Sequence, residues 1–249
     1  TRRMKRFIPT SLAVLAALIH SHSFAYPATE NISHYTVGNP LDQPRQQVLA
    51  IPLKSAPQGD LLVTANGAEI PSQTTATELL VALELDAQKH TDIAVHQLIN
   101  GKPELSYPKQ TYAELAVRVG GQVDDKGHYS GGQYHPVSQM QLPPSHSIGN
   151  KLFKYEGFGW ESEQVAYRYY FDHRGAVDIF GKVKDSLSLA DTGLDGGDYH
   201  SLSDWGMDVL KVGPSLGIGA VGAWVDNALI KPDPVQNMAV SIADGTLQS

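Results

Sequence analysis

Residues 164–172 alternate with a period of two. Val165, Tyr167, Tyr169 and Phe171 fall on one side of an extended chain, and Ala166, Arg168, Tyr170 and Asp172 on the other. A helix cannot sort residues this way, because it brings together positions three and four apart. Residues 112–119 repeat the pattern, with Ala113, Leu115, Val117 and Val119 opposite Glu114, Ala116 and Arg118. Apolar runs at 48–53, 60–64, 79–85 and 92–96 have strand length, and Asn66-Gly67 is a hairpin turn signal. The chain is therefore predicted to be all-β.

Short strands at this spacing predict a small immunoglobulin-like β-sandwich over residues 39–99. Residues 100–110, with Gly101, Pro103 and Pro108, read as a linker, and residues 111–249 open a second β-region in which 122–152 read as loops. The aromatic side of 164–172 is expected to face a core and the Arg/Tyr/Asp side to line a polar groove. The alternative is an exposed strand with a cross-strand ion ladder. Gly217, Gly219 and Gly222, within the strand-like residues 213–225, point to close approach of another backbone or of a flat ligand.

The N-terminus carries the three parts of a secretory signal. Arg2, Arg3, Lys5 and Arg6 are basic, residues 7–19 are mostly apolar, and Ser23-Phe24-Ala25 places small residues three and one before a cut. Residues 1–25 are thus expected to be a signal peptide, with Met4 the natural start, and 26–38 a polar leader. The apolar core of roughly 10 residues is short of the about 20 that span a bilayer, so stable membrane insertion is not expected. Without residues 1–25 the formal charge moves from 19 − 26 = −7 to 15 − 26 = −11. Such an acidic surface repels phosphate backbones and argues against nucleic acid as a partner. There is no cysteine, so the fold stands on its apolar core. These features fit a periplasmic or secreted protein of a Gram-negative bacterium. Residues 238–247 read as a strand, a turn and the start of another strand, so the second β-region is expected to be incomplete.

Three segments concentrate polar and aromatic residues. Residues 155–162 combine Glu156, Trp160 and Glu161 with two glycines, reading as a tight loop that suits a sugar. Rings stack on apolar sugar faces while carboxylates accept hydroxyl hydrogen bonds; a β-bulge packed on its own aromatics is the alternative. Asp191, Asp195 and Asp198 sit in a glycine loop and offer the oxygens that Ca²⁺ takes, though not at EF-hand spacing. A solvated turn is the plainer reading, and no other cofactor is implied. In residues 199–211 a helical turn would set His200 beside Asp204, an acid–base pair near neutral pH. A histidine that buttresses a loop is the plainer reading there. No G-x-S-x-G, P-loop, HExxH or cysteine nucleophile is present.

Tyr-Glu-Gly-x-Gly-Trp-Glu-Ser at 155–162, Asp-Ile-Phe-Gly-Lys at 178–182 and Asp-Trp-Gly-Met-Asp-Val-Leu-Lys-Val-Gly-x-Ser-Leu-Gly at 204–217 resemble a bacterial secreted family, the domain of unknown function 4861. Asn39-Pro40-Leu41, Pro71-Ser72-Gln73 and Thr111-Tyr112-Ala113-Glu114-Leu115 fit its N-terminal half. The chain departs at Phe158, where proline is typical, and at His173-Arg174-Gly175, where an Arg-Asn pair is. The resemblance implies an exported protein longer than this chain, encoded beside enzymes that degrade polysaccharides, especially uronic-acid polymers such as pectin. It implies a β-sandwich followed by a larger antiparallel β-supersandwich, like that of galactose mutarotase-like proteins, here C-terminally truncated.

The resemblance carries no catalytic assignment, so roles rest on residue chemistry. A lyase would use Arg168 or Arg174 against the uronate carboxylate, His200 as base, and Tyr170 or Tyr199 as acid. A hydrolase would use two carboxylates from Glu156, Glu161, Asp204 and Asp208. Trp160, Trp205 and Arg174 complete the residues expected to hold an oligo- or polysaccharide. The rival readings are a non-catalytic glycan-binding accessory protein and a mutarotase-like sugar epimerase.

Overall fold

The computed structural model describes residues 29–99, 103, 106–142, 146–147, 149–172, 174–195, 197–231 and 237–249. The expected signal peptide, part of the linker and His173 lie outside them. Strands β1 (Thr29–Gly38), β2 (Arg45–Pro52), β3 (Leu61–Ala65), β4 (Ala68–Glu69), β5 (Ser72–Thr74), β6 (Glu78–Leu85) and β7 (His90–Leu98) pair antiparallel. They form two sheets, of order β1-β7-β3-β4 and β2-β6-β5. Alternate residues turn inward, so Leu79, Val81, Leu83 and Leu85 of β6 meet Ile93 and Val95 of β7 and Val63 of β3 in one buried cluster. Asn66 and Gly67 take φ of +49° and +85° and close the β3–β4 hairpin, as their turn chemistry predicts. Residues 29–38, read above as part of a polar leader, are instead the edge strand β1. Pairing with β7 makes few demands on side chains: Thr36 donates to Asp92 at 2.7 Å, and Val37 packs against the core.

The second region holds β8 (Thr111–Val119), β9 (Gln122–Val123), β10 (Tyr129–Ser130), β11 (Gln133–Pro136), β12 (Gln139–Gln141), β13 (Phe153–Ser162), β14 (Val165–Tyr170), β15 (Val177–Lys182), β16 (Gly206–Asp208), β17 (Ala223–Val225), β18 (Ala228–Ile230) and β19 (Ala239–Ser241). Six of them form an antiparallel sheet of order β11-β8-β13-β14-β15-β16. Short strands β9 to β12 thus occupy residues expected to be loops. Of residues 213–225, only Ala223–Val225 is a strand, but the inference of close backbone approach holds. A Cβ on Gly217 would lie 2.0 Å from the Val177 carbonyl oxygen. Among the described residues no helix is long and apolar enough to cross a membrane.

Residues 155–162 are not a loop but most of β13, which carries a large bulge. Its pairing with β8 jumps from Phe153↔Val117 to Phe158↔Leu115, leaving residues 154–157 opposite Ala116 alone. Tyr155 and Glu156 absorb the extra length at φ of +38° and +64°.

The aromatic side meets a core as expected, with Tyr169 and Phe158 packed against buried Phe171, Phe153 and Leu115, but the Arg/Tyr/Asp side is enclosed too instead of lining a groove. Glu114, Arg118, Glu161, Arg168, Asp178 and Asp208 share the face on which all six are buried. Val165, Tyr167 and Tyr169 on the opposite face are only half-buried. The charged face is covered by the segment that carries Leu189, Tyr199, Trp205 and Val212. Charges leave water there because they leave it in pairs. On the other face Phe158 stacks on Tyr169 at 5.3 Å and Trp160 on Tyr167 at 5.4 Å, so the rings engage one another.

Candidate functional site

The register aligns Gly159, Arg168 and Asp178 across β13, β14 and β15, and Phe180 with Asp208 across β15 and β16. This places Arg168 between two acids. Its Nε and one terminal nitrogen donate to Asp178 Oδ2 at 3.1 and 2.8 Å, and that nitrogen also reaches Asp208 Oδ2 at 2.9 Å and the Tyr170 hydroxyl. The other terminal nitrogen donates to the Tyr199 hydroxyl at 2.9 Å. Burial works against the Arg168 charge, yet Tyr199, Tyr170 and Asp178 more than offset it and hold its pKa up. With its side chain 1% exposed, Arg168 cannot meet a substrate carboxylate, contrary to the role expected for it.

Tyr170 donates its own proton to Asp178 Oδ2 at 3.1 Å. Its pKa is pushed up, first by burial and then by Asp178, against the opposing pull of Arg168. Tyr170 is therefore a neutral member of the buried network rather than an acid facing substrate. Burial also raises the Tyr199 pKa while Arg168 opposes it. Tyr199 accepts from Arg168, which leaves its own proton to give.

His200 stands at the mouth of this cluster. Its ring is 61% exposed, and its Nδ1 lies 3.1 Å from Asp208 Oδ2. Asp208 is pushed up by burial and by Asp178, while Arg168 pulls the other way. The pairing of His200 with Asp204 does not form. Residues 199–203 make a turn rather than a helix, with Asp198 Oδ1 accepting the His200 amide at 2.9 Å, and Asp204 faces outward 3.8 Å from Lys184. The backbone amide of Asp208 donates instead to the Tyr199 carbonyl at 2.8 Å, bringing Asp208 under the histidine.

The remaining expected site residues scatter. Glu161 is buried, paired with Lys182, and accepts the amides of Ser188 and Leu189, so it anchors a loop. Trp160 lies on the opposite face of the sheet, and Trp205 packs edge-on against Phe180 at 6.0 Å. Arg174 pairs with Asp172 and lies 4.2 Å over the Tyr170 ring. Glu156 lines a small cleft with His146, Phe171 and Asp172. The acids considered for Ca²⁺ do not assemble: Asp195 is bound by Arg118, Asp198 caps the turn at His200, and Asp191 belongs to a short 3₁₀ turn. Among the described residues no group of three or more His, Cys, Asp or Glu is placed to hold a metal.

Sequence reasoning missed two groups. Asp178 was legible, since alternation in β15 puts it with Phe180 on one face. The second group was not. The bulge turns both Lys154 and Tyr155 toward Glu114, which accepts from them at 2.6 and 2.9 Å, and from Tyr112 at 2.9 Å. Burial, then Glu114, holds Tyr155 well above the ordinary tyrosine pKa.

No curated protein and no solved structure matches the chain. Residues 37–249 do match the family described as Domain of unknown function (DUF4861), in agreement with the motifs at 155–162, 178–182 and 204–217. With most of its length matched, the chain belongs to the DUF4861 family.

Proposed function

We propose that this is an exported, carbohydrate-active lyase that removes a ring proton from a uronic-acid-containing glycan, in the periplasm or outside the cell. The observation that carries this reading is the His200–Asp208 pair. The imidazole is exposed and its Nδ1 lies 3.1 Å from a buried carboxylate, so with the hydrogen on that nitrogen it offers the Nε2 lone pair to solvent. In β-elimination that lone pair takes the C5 proton, the electrons left behind form the C4–C5 double bond, and the C4–O bond breaks. Tyr199 gives its proton to the departing oxygen. Hydrolysis fits less well, because it needs two available carboxylates about 5 or about 6.5–9.5 Å apart. Glu161 and Asp208 are both buried and committed to Lys182 and Arg168.

Incubation with pectin and alginate fragments is expected to generate the near-ultraviolet absorbance of an unsaturated product. Its absence with both would sink the lyase reading. His200→Ala is expected to lower turnover about 10²–10⁴-fold while binding of the fragments persists. Product formation unchanged in that variant would remove His200 from the mechanism. Binding without any product, in either protein, would make the chain a glycan-binding accessory protein, and action confined to monosaccharides would favour the epimerase.

A further inference from the structure

We propose that Arg118 is a carboxylate-receiving residue whose present occupant is the chain's own Asp195, and that a uronate carboxylate takes the place of Asp195. This rests on the lyase reading for the identity of the ligand, and on geometry for the site. Arg118 projects from the charged face of β8, and its side chain is 1% exposed. Its inner donors are fixed by the scaffold: Nε reaches the Lys151 carbonyl at 3.0 Å and one terminal nitrogen the Gly131 carbonyl at 2.6 Å. Tyr134 lies under the guanidinium at 4.2 Å and accepts from its other terminal nitrogen at 2.7 Å. The outer edge grips both oxygens of Asp195 at 2.7 Å each, the planar two-point geometry that guanidinium offers a carboxylate.

The two partners are unequal. The Asp195 side chain is 59% exposed, and an ion pair made by so solvated a carboxylate contributes little. A guanidinium buried without an anion is costly. The site therefore requires a carboxylate there, and a competing one can substitute for Asp195. The segment that supplies Asp195 continues into the turn at His200, where Asp198 accepts the His200 amide at 2.9 Å. The Tyr199 ring is 4.5 Å from that of His200. On the lyase reading Arg118 is then the neutralising cation that enclosed Arg168 cannot be, and its present occupant Asp195 belongs to the same short segment as Tyr199 and His200.

Asp195→Ala tests this in thermal unfolding and calorimetry at fixed ionic strength, with sodium glucuronate, glucose and sodium chloride as probes. The variant is expected to melt below the wild type in chloride, to recover with glucuronate, and to bind glucuronate at least tenfold tighter than the wild type. Glucose should do nothing. In ¹⁵N-labelled Asp195→Ala, the Arg118 Nε–H signal should move on adding glucuronate, which locates the site without a second substitution. Equal glucuronate affinity in variant and wild type, recovery by chloride or glucose as good as by glucuronate, or an unmoved Arg118 signal each overturn the proposal. Glucuronate binding here, with no unsaturated product from the pectin and alginate fragments, would defeat the lyase reading and leave this site standing, and product from those fragments without glucuronate binding would do the reverse.

Discussion

Arg168 holds two carboxylates and two tyrosines in place in a buried site, so its loss has a defined cost. Arg168→Met leaves Asp178 and Asp208 buried without their cation, and is expected to destabilise the fold by about 3–5 kcal/mol in urea unfolding. At Arg118 the effect belongs to pH. Hydrogen bonds from Arg118 hold the Asp195 carboxyl below its ordinary range. A depressed folded pKa gives stability that is present above the unfolded value of about 3.9 and is lost as pH falls through the folded one. The melting temperatures of wild type and Asp195→Asn should therefore differ by a constant amount from about pH 5 to 7 and converge as the pH falls through the depressed folded pKa. The sequence pointed to His200, Tyr199, Arg168 and Asp208 because those residue types carry acid–base chemistry. It paired His200 with Asp204 rather than Asp208, because the pairing depends on whether residues 199–205 form a helix or a turn.

At the scale of strands, alternation alone located β8 and β14, and turn chemistry located the β3–β4 hairpin. The bulge in β13 was only the alternative reading of residues 155–162, since it is made by Tyr155 and Glu156 in left-handed conformations that neither residue prefers. That the Arg168 face of β14 is enclosed as well was also unreadable. Tyrosines on one side and an arginine on the other suggest one apolar core, and only the covering segment with Leu189 and Val212 adds a second on the charged side. That segment is held against β15 at Gly217, whose φ is +62°. Gly217→Ala is expected to cost at least about 1–2 kcal/mol from the left-handed backbone alone. The clash with Val177 adds to this, read as a lowered melting temperature with a loosened β15.

The two β-regions are joined by more than the chain between them. Gln73 of β5 accepts the amides of Leu247 and Gln248 at 2.7 and 3.0 Å and donates to the Gln248 carbonyl at 3.0 Å. Asp244 in the same terminal segment accepts the Ala113 amide of β8 at 3.2 Å. Gln73→Ala is expected to speed hydrogen exchange at Leu247 while leaving Ile93 and Val95 in the first core unchanged. Slow exchange at Leu247 in that variant would show that Gln73 does not fasten the segment. The buried ions of the larger sheet have a bearing on assembly as well. Sliding β14 by one residue against β13 and β15 would exchange its faces, turning Tyr169 inward and Arg168 outward. Asp178 would then be enclosed with no cation opposite it. An all-apolar sheet would tolerate such a slip at modest expense, whereas this one penalises it with a stranded charge. The ion cluster thus serves as an alignment key: the central strands lock in one register or do not lock at all.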